Sequence, residues 1–253
     1  MNRTIGIMGA MPEEINGVAG LLQGVKTIHS GKRNYYTGQI NGIDVVVVFS
    51  RWGKVAAAST AATLIHRFNI TDLLFTGVAG AIQPNLKAGD IVIGKQLIQH
   101  DLDARPLIQK HEIPLLNKIY LEADAKWLLL AEKTIHELLQ EKHLHRIIDN
   151  KTLDSFNLHH PNYYIGAIAS GDQFFFRQEQ KTGLLSSLPN IYCVEMEGAS
   201  VAQVCYENDI PCLVIRTISD SADEQSPYDF AAFVDKIAST YSTEIVKNIF
   251  KYL

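Results

Sequence analysis

Pro211-Cys212-Leu213-Val214-Ile215-Arg216-Thr217-Ile218-Ser219-Asp220-Ser221-Ala222-Asp223 is the stretch whose reading decides the fold. Its first half is apolar and β-branched, which predicts a strand buried on both faces. Its second half delivers Arg216, Ser219, Asp220 and Asp223 just where that strand should stop. In open α/β sheets, ligands bind at the carboxyl ends of strands, so the acids stand where a site belongs. Two further units repeat the pattern. Ile191-Tyr192-Cys193-Val194 leads into Glu195-Met196-Glu197-Gly198-Ala199, and Ile5-Gly6-Ile7-Met8-Gly9-Ala10-Met11 is followed by Glu13 and Glu14. Three buried strands that each end in carboxylates predict an α/β protein with an acidic site at one end of its sheet.

Size and charge narrow the field. A chain of 253 residues that is 47% hydrophobic can bury a large core, and no linker or repeat divides it, so one domain over residues 1–253 is expected. The net charge of −4 carries no basic stripe, which argues against nucleic acid and acidic membranes as partners. No apolar run reaches spanning length, and the N-terminal run reads as a first strand rather than a leader. Cys193, Cys205 and Cys212 form an odd set without motif spacing, which suits a reducing cytoplasm.

Along the chain, Pro12 fits the first position of a helix, with Ile15, Val18, Leu21 and Leu22 turned inward. Asn41-Gly42 is a two-residue hairpin signal between strands over 30–40 and 43–49. An alanine-rich helix follows over 54–68, then a strand over 73–76 that should end in a glycine-flanked loop over 77–81. Residues 99–123 lack periodicity and read as a long loop that closes a site or meets a partner subunit. A helix is expected over 125–140, a polar surface excursion over 143–162, and a strand over 163–169 ending in Ser170-Gly171-Asp172-Gln173-Phe174-Phe175-Phe176. Phe230, Phe233, Ile237, Tyr241, Ile245 and Ile249 predict a long closing helix over 228–251.

Carboxylates on three strand ends suit acid–base chemistry. One with a raised pKa can protonate a leaving group while another polarises water, as glycosidic cleavage through an oxocarbenium-like transition state requires. Acids after strands also cap helices, and the residues alone leave both readings open for Glu14, Glu197 and Asp220. Other constellations are weaker. Gly6 and Gly9 lack dinucleotide spacing, and there is neither a P-loop nor a nucleophile elbow. His143, His145, His159 and His160 show no metal-ligand spacing, so no metal and no cofactor is expected. Phe174, Phe175 and Phe176 could stack on a flat ligand or belong to the core.

Taken in order, several motifs resemble the 5′-methylthioadenosine/S-adenosylhomocysteine nucleosidases of the nucleoside phosphorylase superfamily. They are Gly9-Ala10-Met11-x-Glu13-Glu14, Gly53-Lys54-Val55, Thr76-Gly77-x-Ala79-Gly80, Gly89-Asp90-Ile91, Ser170-Gly171-Asp172, Val194-Glu195-Met196-Glu197 and Arg216-x-Ile218-Ser219-Asp220-x-Ala222-Asp223. The resemblance implies a single α/β domain with a mixed central sheet of distorted barrel character flanked by helices, assembled as a homodimer. It implies a hydrolase that takes a purine nucleoside and water. Asp220 would protonate purine N7, with Ser219 orienting it; Glu14 would hold the water; Glu197 and Met196 would bind the ribose, with Arg216 supporting the acids. Phe174 would stack on the base and the Phe175 backbone would read its edge. Ala10, Met11, Trp52, Val78 and Phe230 would complete the pocket, with residues near Pro114 of a second subunit closing it. Phosphorylases hold phosphate with arginine forks, whereas Thr76 and Glu14 stand here instead. Trp52 occupies a place where the family commonly has a smaller aliphatic residue, and aminodeoxyfutalosine is a substrate of related nucleosidases.

Overall fold

The computed structural model describes residues 3–140 and 145–253. In chain order these form β1 (Thr4–Gly9), α1 (Pro12–Ala19), β2 (Gln23–Ser30), β3 (Arg33–Ile40), β4 (Ile43–Phe49), α2 (Lys54–Phe68), β5 (Asp72–Ala81), β6 (Ile91–Gln99) and β7 (Leu121–Glu122). Then follow α3 (Ala125–Leu138), α4 (Asn150–Phe156), β8 (Tyr163–Ser170), α5 (Gln178–Ser187), β9 (Ile191–Glu195), α6 (Gly198–Glu207), β10 (Cys212–Asp220) and α7 (Ser226–Phe233). A π-helical turn, Val234–Ala238, joins α7 to the last helix, α8 (Ser239–Ile249).

The sheet is mixed and closes on itself. β10 runs parallel to β5 along its length, Leu213 opposite Leu74 and Arg216 opposite Gly77. On its other edge β10 is antiparallel to β6, which runs parallel to β8 and then β9. β9 returns to the far end of β5, pairing Gly80 with Val194 and Ala81 with Cys193. β5, β10, β6, β8 and β9 thus make a five-stranded barrel. The near end of β5 pairs with β1 instead, and β1, β4, β3 and β2 extend as an outer wing.

Side-chain alternation divides the core. Met8, Val46, Phe75, Val214 and Ile218 face one way with alanines of α2 and α6, while Ile5, Ile7, Val45, Leu74, Leu213 and Ile215 face the other with α1, α3 and α8. Strands buried on both faces explain why their sequences read as continuous apolar runs.

Several local expectations change. Residues 77–81 continue β5 rather than forming a loop, because β10 and β9 take up their backbone groups. α1 stops at Ala19, so Leu21 and Leu22 pack beyond its end, and β2 is a mostly exposed edge strand that polar residues concealed. The hairpin at Asn41-Gly42 forms with positive φ at both residues, 51° and 80°. The excursion after α3 contains α4, capped by Asp149; His143 lies outside the described residues. The closing helix begins at Ser226 and carries the π turn, which the apolar spacing did not disclose.

Asp72 ties the start of β5 to β1 and α3. It accepts Arg3 Nε and Nη2 at 3.1 and 2.9 Å, Thr71 Oγ1 at 2.7 Å and Trp127 Nε1 at 2.9 Å. These donors hold its pKa below the usual range against the opposing effect of burial. Asp72→Ala should cost about 2 kcal/mol, since the buried indole N–H loses its acceptor, measurable by urea unfolding. Because the folded-state pKa is lowered, this contribution is present above the unfolded value and is lost as pH falls through the folded one. The deficit of the variant should therefore shrink in strong acid.

Candidate active site

The site begins where β5 changes partners. On one edge β1 pairs only as far as Met8 with Phe75, and β9 begins only at Gly80. The backbone between them is left open. Glu14 fills the opening: Pro12 starts α1 immediately after β1, and Glu14 on its first turn folds back over the gap. Its Oε1 accepts Val78 N–H at 3.0 Å, and its Oε2 accepts Ala10 and Met11 N–H at 2.5 and 3.1 Å. Glycine is needed at 77, where a Cβ would lie 2.7 Å from Glu14 Oε1. Burial pushes the Glu14 pKa up, while the Arg216 charge and the three N–H donors favour the carboxylate.

A second carboxylate, Glu195, ends β9 and caps α6. Its Oε2 accepts Gly198 N–H at 2.7 Å and Glu197 N–H at 3.2 Å, and the Ser170 hydroxyl bonds its Oε1. Arg216 grips the same carboxylate through Nη2 at 2.6 Å, with both partners almost fully buried. Its guanidinium also donates to the Phe75 carbonyl and lies 4.1 Å from the Phe75 ring centroid. Glu197, the residue that opens α6, reaches across to accept Gly53 N–H at 2.7 Å. Burial and the neighbouring Glu195 push its pKa up.

Asp220 is placed by a β-bulge. Ile218 pairs with Ala79 and Asp220 with Gly80, so Ser219 is the extra residue. Such bulges re-aim side chains beside sites. Ser219 Oγ donates to Asp220 Oδ2 at 2.7 Å, and Ala222 N–H donates to Oδ1 at 2.9 Å. Burial raises the Asp220 pKa and the Asp229 charge adds to the rise, against the hydroxyls of Ser226 and Ser219 and the Ala222 N–H.

These groups line one cavity of about 470 Å³. Glu14, Glu197, Asp220, Ser219, Met196 and Val78 form its floor and walls, and Ala10 and Met11 flank the end of β1. Trp52, Phe174 and Phe230 form an aromatic rim, with Phe230 edge-on to both others at 6.3 and 5.5 Å between centroids. Phe175 borders an adjoining hollow, its ring buried edge-on against His100. Arg216 does not line the cavity itself. The Glu195 pair and the Phe75 carbonyl hold its head inside the barrel. Glu195 is the residue whose part the sequence left unread; its position two before Glu197 and opposite a lone buried-strand arginine was the available signal. Among the described residues, no lysine, arginine or histidine lines the cavity.

Three loops around the rim are buckled together. Lys54 Nζ meets Asp101 Oδ1 at 2.6 Å, Asp172 N–H donates to Asp101 Oδ2 at 2.9 Å, and Lys54 N–H donates to Asp172 Oδ1 at 2.8 Å. Lys54 follows the Gly53 that holds Glu197, and Asp172 precedes Phe174 by two residues. Asp101→Ala should therefore raise KM more than it lowers kcat, by about tenfold for two lost charge-assisted bonds partly open to water, read from steady-state kinetics. Arg216→Met should be far more costly to stability, about 3–5 kcal/mol, because Glu195 stays buried without its cation; chemical denaturation checks this.

The chain matches the family described as Phosphorylase superfamily over residues 4–251. It is 35% identical to the aminodeoxyfutalosine nucleosidase of Helicobacter pylori, with 98% of each chain covered. It is 32% identical to the 5′-methylthioadenosine/S-adenosylhomocysteine nucleosidase of Hydrogenovibrio crunogenus, again over 98% of each. Among solved structures it is similar to the 5′-methylthioadenosine/S-adenosylhomocysteine nucleosidase of Colwellia psychrerythraea in complex with adenine, with a TM-score of 0.86 at 30% identity, covering 99% of this chain and 96% of that one. The chain belongs to the phosphorylase superfamily, in the branch that holds the methylthioadenosine/S-adenosylhomocysteine and aminodeoxyfutalosine nucleosidases.

Proposed function

We propose that this protein hydrolyses the N-glycosidic bond of 5′-methylthioadenosine and S-adenosylhomocysteine, releasing adenine. The observation that carries the reading is a cavity walled by four carboxylates, Glu14, Glu195, Glu197 and Asp220, gathered from three strand ends, and among the described residues by no cation. A phosphate nucleophile would meet these acids with Arg216 occupied by Glu195 behind the cavity wall, whereas water can donate a hydrogen bond to Glu14.

The environments divide the labour. Glu14 faces three N–H donors and the Arg216 field, all of which favour its anion. Asp220 is raised chiefly by burial, with the like charge of Asp229 adding to the rise although the Lys181 ammonium lies nearby, so its environment favours the protonated acid. Burial raises both, and the Arg216 charge and three N–H donors that oppose the rise at Glu14 assign it the base and Asp220 the acid. Asp220 gives its proton to purine N7, and the bond from C1′ to N9 breaks with its electron pair going to adenine. Water held by Glu14 adds to C1′ and yields its proton to that carboxylate. Glu197, fixed by Gly53 N–H, accepts from the ribose hydroxyls, Met196 packs beside the sugar, and Phe174 stacks on the base. Ser219 holds Asp220 in register, the Phe175 backbone reads the purine edge, and Met11, Trp52 and Phe230 enclose the 5′ group.

The reading includes a cytoplasmic homodimer serving methionine salvage. Leu107 and Leu115, 90% and 93% exposed on the irregular segment between β6 and β7, support a second subunit there. The free thiols of Cys193, Cys205 and Cys212 support a reducing compartment. Aminodeoxyfutalosine is the second reading, favoured by the relative from Helicobacter pylori.

Adenine release from methylthioadenosine should proceed in phosphate-free buffer and be unchanged by added phosphate; a requirement for phosphate would make this a phosphorylase. No release from any of the three nucleosides would leave a binding protein. Asp220→Asn and Glu14→Gln should each lower kcat by about 10²–10⁴-fold with the fold retained by circular dichroism. The kcat/KM profile should be bell-shaped. Activity falls on the acid side as Glu14 protonates and on the alkaline side as Asp220 ionises, both limbs lying above ordinary carboxylate values. The alkaline limb should vanish in Asp220→Asn.

A further inference from the structure

Beyond the aromatic rim the reaction cavity continues into an open groove of about 690 Å³, and Ala10, Met11 and Trp52 line both. Among the described residues, the groove carries one exposed cation, Arg51, and one exposed anion, Glu13. They come from two separate elements: Arg51 follows β4 next to Trp52, and Glu13 is on the first turn of α1, two residues after Met11. Among the described residues neither belongs to a salt bridge, with each other or with any third group. Arg51 spends one donor, Nη2, on the Lys32 carbonyl at 2.6 Å, which leans the guanidinium against the β2–β3 turn. It does so at φ 73°, a left-handed conformation that costs a non-glycine residue energy.

Two opposite charges that share a groove without pairing suit a ligand that carries both. We infer that Arg51 and Glu13 form a subsite for the zwitterionic α-amino-acid end of a long 5′-thio substituent, Arg51 taking the carboxylate and Glu13 the ammonium. This rests on the nucleosidase reading above and extends it from the reacting bond to the distal end of the substrate. A planar guanidinium suits a carboxylate through paired N–H donors. A 5′-methylthio group is short and neutral, so it has nothing to offer either charge. The subsite therefore separates S-adenosylhomocysteine from methylthioadenosine while leaving the chemistry to Glu14, Glu197 and Asp220.

The test compares kcat/KM for S-adenosylhomocysteine and for methylthioadenosine in the full-length protein, Arg51→Gln, Arg51→Glu and Glu13→Gln. Arg51→Gln should lower the ratio of the two specificity constants by about fivefold, the scale of a solvent-exposed charge contact, through KM for S-adenosylhomocysteine. Arg51→Glu should lower it further, and raising ionic strength should weaken S-adenosylhomocysteine alone. A ratio unchanged across the three variants, or an equal fall for both substrates, would overturn the subsite and leave the nucleosidase reading standing. Failure of the unaltered protein to release adenine from either compound would overturn both.

Discussion

Everything at this site follows from the parting of one strand edge. β5 must close the barrel through β9 and also hold the outer wing through β1, and it cannot do both along the same residues. The backbone donors exposed between these partners need acceptors, because buried N–H groups are rarely left unmet. Glu14 supplies them with a carboxylate instead of a neighbouring strand. An ordinary ladder carbonyl would have sealed the gap. A carboxylate seals it and leaves a reactive oxygen pair at the cavity wall. The same parting sets the length of β10, which must run beside the whole of β5 and so brings its bulge and Asp220 to the opposite lip.

The electrostatics are equally economical. Arg216 is the cation common to Glu195, Glu14 and Glu197, and their charges together hold its pKa up against burial. It touches only Glu195 directly; the other two feel its field at a distance. That arrangement keeps a net excess of acid in the cavity, and excess acid together with burial is what raises carboxylate pKa values toward neutrality. Asp220 stands apart at the end of β10, held by hydroxyls and an N–H, which is why its environment differs from that of Glu14 although both are buried.

Much of this was legible in the sequence. Continuous apolar runs gave the buried strands, and acids at their ends gave the three carboxylates that the structure gathers. What stayed hidden depended on pairing rather than on composition. Residues 77–81 look like a flexible loop because glycines are there, yet those glycines make room for Glu14 and Asp220 within a strand. β2 carries the composition of a loop since only one of its edges is paired. Arg216 reads as a site residue by position, but its partner Glu195 lies on another strand, and nothing local says that the two will bury one another. The Lys54–Asp101–Asp172 buckle joins residues up to 118 apart in the chain, beyond any periodic signal.

The π turn at Val234–Ala238 limits the insertions and deletions this chain can tolerate. It spends one residue more than an α-helical turn and so offsets the faces of α7 and α8. α8 is fixed to the barrel by Thr76 and Ser242, 3.3 Å apart, and by buried Tyr241, Ile245 and Ile249. With that end pinned, losing a single residue between 234 and 238 would rotate α7 by about 100°. Phe230 would then leave the rim, while no residue of the catalytic acids had changed. The wide turn works as a phase adjuster between the core and the mouth of the site, so chain length there is under tighter constraint than residue type.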